Sequence, residues 1–205
     1  MQPTDGRGSA RPRALVVHAH PSERSFNHHL AQVTVEALSV NHETELIDLY
    51  RLGFRPEMTL EEHQRYHSNA PIVDSMVAGH VESVLAAETL VFVFPTWWSG
   101  LPAMLKGWLE KTLVPGVAFE FDDRGRVRPA LHNVRRVIGV TTYGSPRWKM
   151  TLMGDGGRRT LLRALRLNIP HRIDPVWLGM YSLDASTAEQ RAAFVGRVDE
   201  RLRTL

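Results

Sequence analysis

Apolar runs alternate with amphipathic stretches along most of this chain. Residues 14–18 predict a strand, 27–39 a helix, 44–49 a second strand, 73–86 a helix, 89–94 a third strand and 101–113 a helix. A fourth strand is predicted at 134–141, a helix at 151–167, a short fifth strand at 175–180 and a closing helix at 187–203. Strands and helices alternating at this spacing pair the strands in parallel through right-handed crossovers. The pattern therefore predicts an α/β fold with a doubly wound five-stranded sheet. The third strand, "TLVFVFP", has no polar face, which places it centrally with helices on both sides. In strand order 2-1-3-4-5, the loops after the first, third and fourth strands meet at one crevice outside the carboxyl ends of the strands, where ligands of open α/β sheets bind.

Composition narrows the picture. The chain has 205 residues, 43% of them apolar and 23% charged, enough for one well-filled core. A single domain is expected at residues 13–205, after a Gly-, Arg-, Pro- and Ser-rich disordered tail at residues 1–12. The absence of cysteine excludes disulfides and thiolate metal sites and fits a reducing compartment. No apolar run reaches the roughly 18 residues of a membrane span, so a soluble, cytoplasmic protein is expected. A net charge of +3, with 22 acidic residues among 25 basic ones, describes a mixed surface rather than a nucleic-acid footprint. The local exception is "GGRRTLLRALR", where Arg158, Arg159, Arg163 and Arg166 fall at helical spacing. They form either a solvated helix face or a seat for a phosphate-bearing ligand.

The three strand-end loops carry the candidate chemistry. In "HAHPSERSFN", Ser25 and Asn27 stand at a helix entrance, where they can cap the helix while free N–H groups of its first turn offer an anion site. His20 reads either as a satisfied core residue or as a donor to phosphate. In "PTWWSGLP", adjacent Trp97 and Trp98 cannot both bury in one place, so at least one ring faces the crevice or a partner subunit unless both pack beneath the loop. The third loop is "TTYGSP". Neither G-x-G-x-x-G after the first strand, nor G-x-x-x-x-G-K-[ST], nor G-x-S-x-G is present. His63 and His67 in "HQRYH" are four apart but lack the glutamate and third ligand of a zinc motif, and His18 and His20 point oppositely along a strand. No metal site is expected.

Through "RALVVHAHPSERSFN", "LVFVFPTWWSGLPAMLKGWLEKTLVPGVAFEF" and "RVIGVTTYGSP", the chain resembles the flavodoxin-like NAD(P)H:quinone oxidoreductases. This is the family of DT-diaphorase, modulator of drug activity B and the ancillary reductases of potassium-efflux systems, with azoreductases as cousins. The resemblance spans roughly residues 13 to 200 and is carried most specifically by the middle segment. It implies a flavodoxin-like fold, FMN or FAD as cofactor, NADH or NADPH as electron donor, and a homodimer with a flavin at each interface. His20, Ser25, Phe26 and Asn27 match the family's flavin-phosphate loop. Pro95, Thr96, Trp97 and Trp98 match the loop flanking the isoalloxazine ring, and Thr142, Tyr143 and Gly144 match the loop along its pyrimidine edge.

Tyr143 stands where the family usually has glycine, and the relatives' tyrosine–histidine pair is not evident after Gly144; Trp148 and Lys149 lie nearby instead. Tyr143 is accordingly the expected catalytic side chain, either donating its hydroxyl to the reduced ring or narrowing the acceptor slot. The N–H groups of Tyr143 and Gly144 are the other expected donors there. The implied reaction is ping-pong hydride transfer from nicotinamide to flavin to a quinone-like acceptor. Two rivals are a flavin-binding regulatory subunit of a membrane transporter with little turnover, and a one-electron carrier, whose typical strong acidity this chain lacks.

Overall fold

The structure, a computed structural model, describes residues 11–68 and 70–205. The expected tail lies outside the described residues except for Arg11 and Pro12, both exposed. In chain order the elements are β1 (Arg13–His18), α1 (Phe26–Leu38), β2 (Glu43–Asp48), α2 (Leu60–Arg65), α3 (Ser75–Ala86), β3 (Thr89–Pro95) and α4 (Ala103–Thr112). There follow β4 (Phe119–Phe121), β5 (Val127–Pro129), β6 (Arg136–Thr142), α5 (Arg147–Leu152), α6 (Gly156–Arg159), β7 (Asp174–Met180) and α7 (Ala188–Arg203).

The main sheet has the order β2-β1-β3-β6-β7, every pair parallel. Counting only its own strands, this is the expected 2-1-3-4-5. β3 is buried along its whole length. Leu90, Phe92 and Phe94 point into one core with α3 and α4, while Val91 and Val93 point into the other with α1 and α7. Burial on both faces is why this strand has no polar side.

Three parts differ from the pattern reading. The helix expected at 151–167 is not continuous. α5 ends before Gly154 (φ +87°) and Asp155 (φ +43°), α6 is a single turn, and the chain continues as a π turn (Thr160–Ala164) and a 3-10 turn (Leu165–Asn168). The left-handed conformation at 154–155 breaks the ladder of helical hydrogen bonds. A small antiparallel hairpin, β4–β5, occupies the segment between α4 and β6. Asp122 organises its turn by accepting from the backbone N–H groups of Arg124 and Arg126 and pairing with the Arg126 and Arg128 side chains. α2 is a short helix closed by a capping box between Thr59 and Glu62.

Two glycines permit close packing. Gly139 in β6 faces Trp177 of β7 in register, and a Cβ there would overlap the indole ring. Gly107 in α4 lies against the backbone of Pro56 in the same way.

Candidate active site

β1, β3 and β6 end side by side, with His18 opposite Val93 and Pro95 opposite Thr142. Their three loops therefore open onto one face of the molecule. At the β1 end, Ser25 caps α1 by accepting from the N–H of His28 at 3.0 Å. The N–H groups of Phe26 and Asn27 have no acceptor among the described residues. The start of a 13-residue helix thus presents free donors to the crevice. His20 Nδ1 accepts from the N–H of Ser22 at 3.0 Å. The same Nδ1 lies 3.3 Å from the Ser22 carbonyl oxygen, and burial lowers the pKa of His20 from its ordinary value, which favours a neutral ring.

Asn27 ties the first loop to the third. It is buried, its Nδ2 donates to Thr142 Oγ1 at 2.8 Å, and its Oδ1 is buried without a partner. Thr96 ties the second loop to the same strand. Its N–H donates to Thr142 O at 2.8 Å, and its hydroxyl lies 3.1 Å from that of Thr141.

Beyond Thr96 the chain makes a two-residue hairpin turn. Trp97 and Gly100 bond to each other through both their N–H and carbonyl groups, while Trp98 and Ser99 at the tip have φ of +48° and +58°. Such a turn ordinarily holds Asn-Gly, because side chains other than Gly, Asn and Asp are strained at positive φ. At this tip the Trp98 side chain stands wholly in solvent, and Trp97 is 42% exposed with its ring 6.1 Å from that of His20. Neither tryptophan packs beneath the loop. Backbone strain of this kind gathers at functional sites, where the surroundings or a bound partner offset it.

The third loop corrects two expectations. The Tyr143 side chain does not open onto the crevice. It is 1% exposed, stacks on Tyr181 with ring centroids 4.4 Å apart, donates its hydroxyl to the Asp155 carboxylate at 3.1 Å, and accepts from Trp177 Nε1 at 3.0 Å. Burial and the neighbouring Asp155 carboxylate push its pKa well up, so the phenol keeps its proton. The hydroxyl is thus engaged within the fold, between Asp155 and Trp177. The Tyr143 N–H is also committed, donating to Met180 O at 2.8 Å, whereas the N–H groups of Gly144 and Ser145 have no acceptor among the described residues. Gly144 is exposed, and a Cβ there would approach the Asp184 carboxylate to 2.8 Å.

Outside the crevice, Arg147, Arg158, Arg159 and Arg163 line a cavity of about 510 Å³ beside Tyr181 and Asp155. None of the four forms an ion pair among the described residues. Arg166, expected on the same side, is not among its walls. The helical spacing pointed to a cluster, but the broken helix changes its membership. A larger cavity of about 810 Å³ lies between α2, α4 and the 160–168 segment, away from the strand ends.

The family model described as a flavodoxin-like fold matches residues 12–195. The ribosyldihydronicotinamide dehydrogenase [quinone] of Mus musculus is 28% identical over 220 aligned residues, covering 96% of this chain and 93% of its own. Among solved structures, a protein of Streptococcus mutans UA159 superposes with a TM-score of 0.83 at 25% identity, covering 94% of this chain and all of its own. An FMN-dependent NADH-azoreductase of Bacillus anthracis, solved in complex with FMN, has a TM-score of 0.71 at 18% identity, a likeness of fold. It covers 94% of this chain and 98% of its own.

Proposed function

Since the chain belongs to the Flavodoxin_2 family, whose fold is flavodoxin-like, we propose that it is a flavin-dependent NAD(P)H dehydrogenase of the quinone-reducing kind. The observation that carries this reading is the convergence of three decorated loops at one crevice, with unpaired donors at its entrance and an exposed indole at its rim. A flavin suits this chemistry. The free N–H groups of Phe26 and Asn27 and the imidazole of His20 fit its phosphate, with Ser25 shaping the turn. The orphaned Oδ1 of buried Asn27 fits a ribityl hydroxyl. The segment Pro95, Thr96, Trp97 and Trp98 would flank the flat ring, and Thr142, the Tyr143 backbone and the free N–H of Gly144 would lie along its polar edge.

When bound, flavin supplies reversible hydride acceptance, so nicotinamide and quinone can use one slot in turn, a ping-pong scheme. The protein's part is to hold the ring, exclude water from one of its faces and direct the Gly144 N–H at its polar edge. The arginine-walled cavity supplies positive charge for the phosphates of the nicotinamide nucleotide. In a single subunit Trp98, Phe121 and Val127 are exposed. This supports a homodimer in which a second copy covers them. Among the described residues no helix is long and apolar enough to cross a membrane.

The test is to identify by mass any cofactor released from the purified protein, then follow oxidation of NADH and NADPH with a soluble quinone. FMN or FAD at one per subunit, with parallel double-reciprocal plots, is expected. Protein that binds neither flavin would sink the reading, and bound flavin with negligible turnover would favour a regulatory role.

A further inference from the structure

Three side chains outside the proposed machinery converge where β1, β2 and α1 meet. His18 ends β1, Asp48 ends β2, and the two stand opposite each other in the parallel ladder. His28 lies in the first turn of α1, above them. One potential ligand atom from each residue lies within 4.8 Å of the others, and His28 Nδ1 is 3.9 Å from Asp48 Oδ2. We propose that His18, His28 and Asp48 form a binding site for one divalent transition-metal ion of the zinc class.

The tautomer of His18 carries the argument. Its Nδ1 lies 3.1 Å from the carbonyl oxygen of Val93, which can only accept, so Nδ1 holds the proton. Nε2 is then a bare lone pair. His18 is fully buried, and this nitrogen has no partner. A buried polar atom left unpaired needs a physical reason, and an imidazole whose other nitrogen is fixed by a carbonyl is arranged as metal-bound imidazoles usually are.

The other two residues complete the cluster. His28 Nε2 lies 3.3 Å from the side-chain amide of Gln32, one helical turn on. As placed, the Gln32 amide nitrogen faces Nε2; an ion on Nδ1 would require the amide turned over, so that its carbonyl accepts from Nε2–H and leaves Nδ1 as a second lone pair toward Asp48. Asp48 is nearly buried, and its Oδ1 accepts from the N–H of Arg51 at 3.2 Å, which fixes the carboxylate. Among the described residues no lysine or arginine pairs with it, and only the two imidazoles stand beside it. A carboxylate in a nearly dry place with no lysine or arginine beside it is a seat for a cation, and a divalent ion supplies that charge.

Two imidazole nitrogens and one carboxylate oxygen suit zinc, cobalt or nickel rather than magnesium or calcium, which prefer oxygen ligands. The His28 side chain is 14% exposed, and a water at that edge would be the fourth ligand. An ion here would pin the ends of β1 and β2 to the first turn of α1. The sequence expectation of no metal weighed His63 with His67 and His18 with His20; the partners of His18 lie 10 and 30 positions away.

Protein without a histidine tag, purified with its flavin and dialysed against chelator, is titrated with cobalt(II) while ligand-field absorption is followed to the red of the flavin bands. One saturable equivalent, displaced by zinc(II) and accompanied by a rise in melting temperature, is expected. Binding should be lost in His28→Ala and Asp48→Asn, weakened about 10–100-fold in Gln32→Ala, and retained in His63→Ala on α2. Melting in chelator establishes which variants fold, and Gln32→Ala on the helix surface keeps the test available if the others do not. The absence of saturable cobalt binding, or binding undiminished in all three site variants, overturns the proposal.

Discussion

Replacing Tyr143 with Phe should cost stability and leave flavin reduction nearly untouched. The ring keeps its stack on Tyr181 and its place in the core, so the substitution opens no cavity larger than one oxygen. What is lost is a hydrogen bond to the Asp155 carboxylate, worth roughly 1.5–3 kcal/mol as a bond to a charged group. Trp177 Nε1 also loses its acceptor, and because Trp177 is only partly buried this adds about 1 kcal/mol rather than a full desolvation penalty. The sum is about 2–4 kcal/mol. At roughly 2–4 °C per kcal/mol for a chain of this size, melting should fall by about 5–15 °C. The assay is urea and thermal denaturation of wild type, Tyr143→Phe, Asp155→Ala and the double variant. If the hydroxyl acts through Asp155, the Tyr143→Phe cost should shrink by at least about 1 kcal/mol in the Asp155→Ala background. A cost below about 0.5 kcal/mol, or equal costs in both backgrounds, refutes the reasoning. So does a large loss in the rate of reduction by NAD(P)H with the flavin fully bound, which would return the hydroxyl to the crevice.

Ser99→Gly should stabilise the protein by about 0.5–1 kcal/mol in chemical denaturation, because glycine relieves positive φ at the turn tip, with part of the gain offset by a freer unfolded chain; no gain would mean the turn is not strained. Gly139→Ala should destabilise by roughly 1–3 kcal/mol as the methyl group displaces Trp177, and an unchanged urea midpoint would count against that close approach. His80 is buried, accepts from Trp108 Nε1 at 3.2 Å through Nδ1, and has its pKa lowered from 6.5 by burial. The unfolded chain therefore takes the proton first as pH falls, and the stabilisation present above 6.5 is lost below it, by up to about 1.4 kcal/mol per pH unit. Melting curves of His80→Gln should show a shallower decline over that range, and a slope equal to wild type would remove His80 from the pH response.

The sheet was readable because its signal is strong and local. Runs such as "TLVFVFP" and "RVIGVTT" leave little alternative to buried parallel strands, and the spacing between them admits helices. The crevice was readable through its loops, since Ser25, Asn27 and the paired tryptophans interrupt that regularity at strand ends. The broken helix had a visible signal in "MGDGG", whose glycines were outweighed by the apolar and basic periodicity on either side. The capping box of α2 was likewise written in "TLEE". No local pattern could give the inward turn of Tyr143, which depends on Asp155 and Trp177 arriving from two other segments. The meeting of His18, His28 and Asp48 was hidden for the same reason: the ladder register and the seat of α1 decide it.

The hydrogen bond from Asn27 to Thr142 joins positions 115 apart in the chain. A chain emerging from the ribosome has made β1, α1 and β3 long before β6 exists, so the first two loops wait without their third wall. Pairing of β6 with β3 spans a large loop, and non-local pairing of this kind comes late and slowly in folding. A ligand of the crevice therefore meets a finished sheet and cannot serve as its template. Its effect falls on the reverse reaction: by binding only the completed form it draws the equilibrium toward the native state, and the empty protein should be the one that proteases find open.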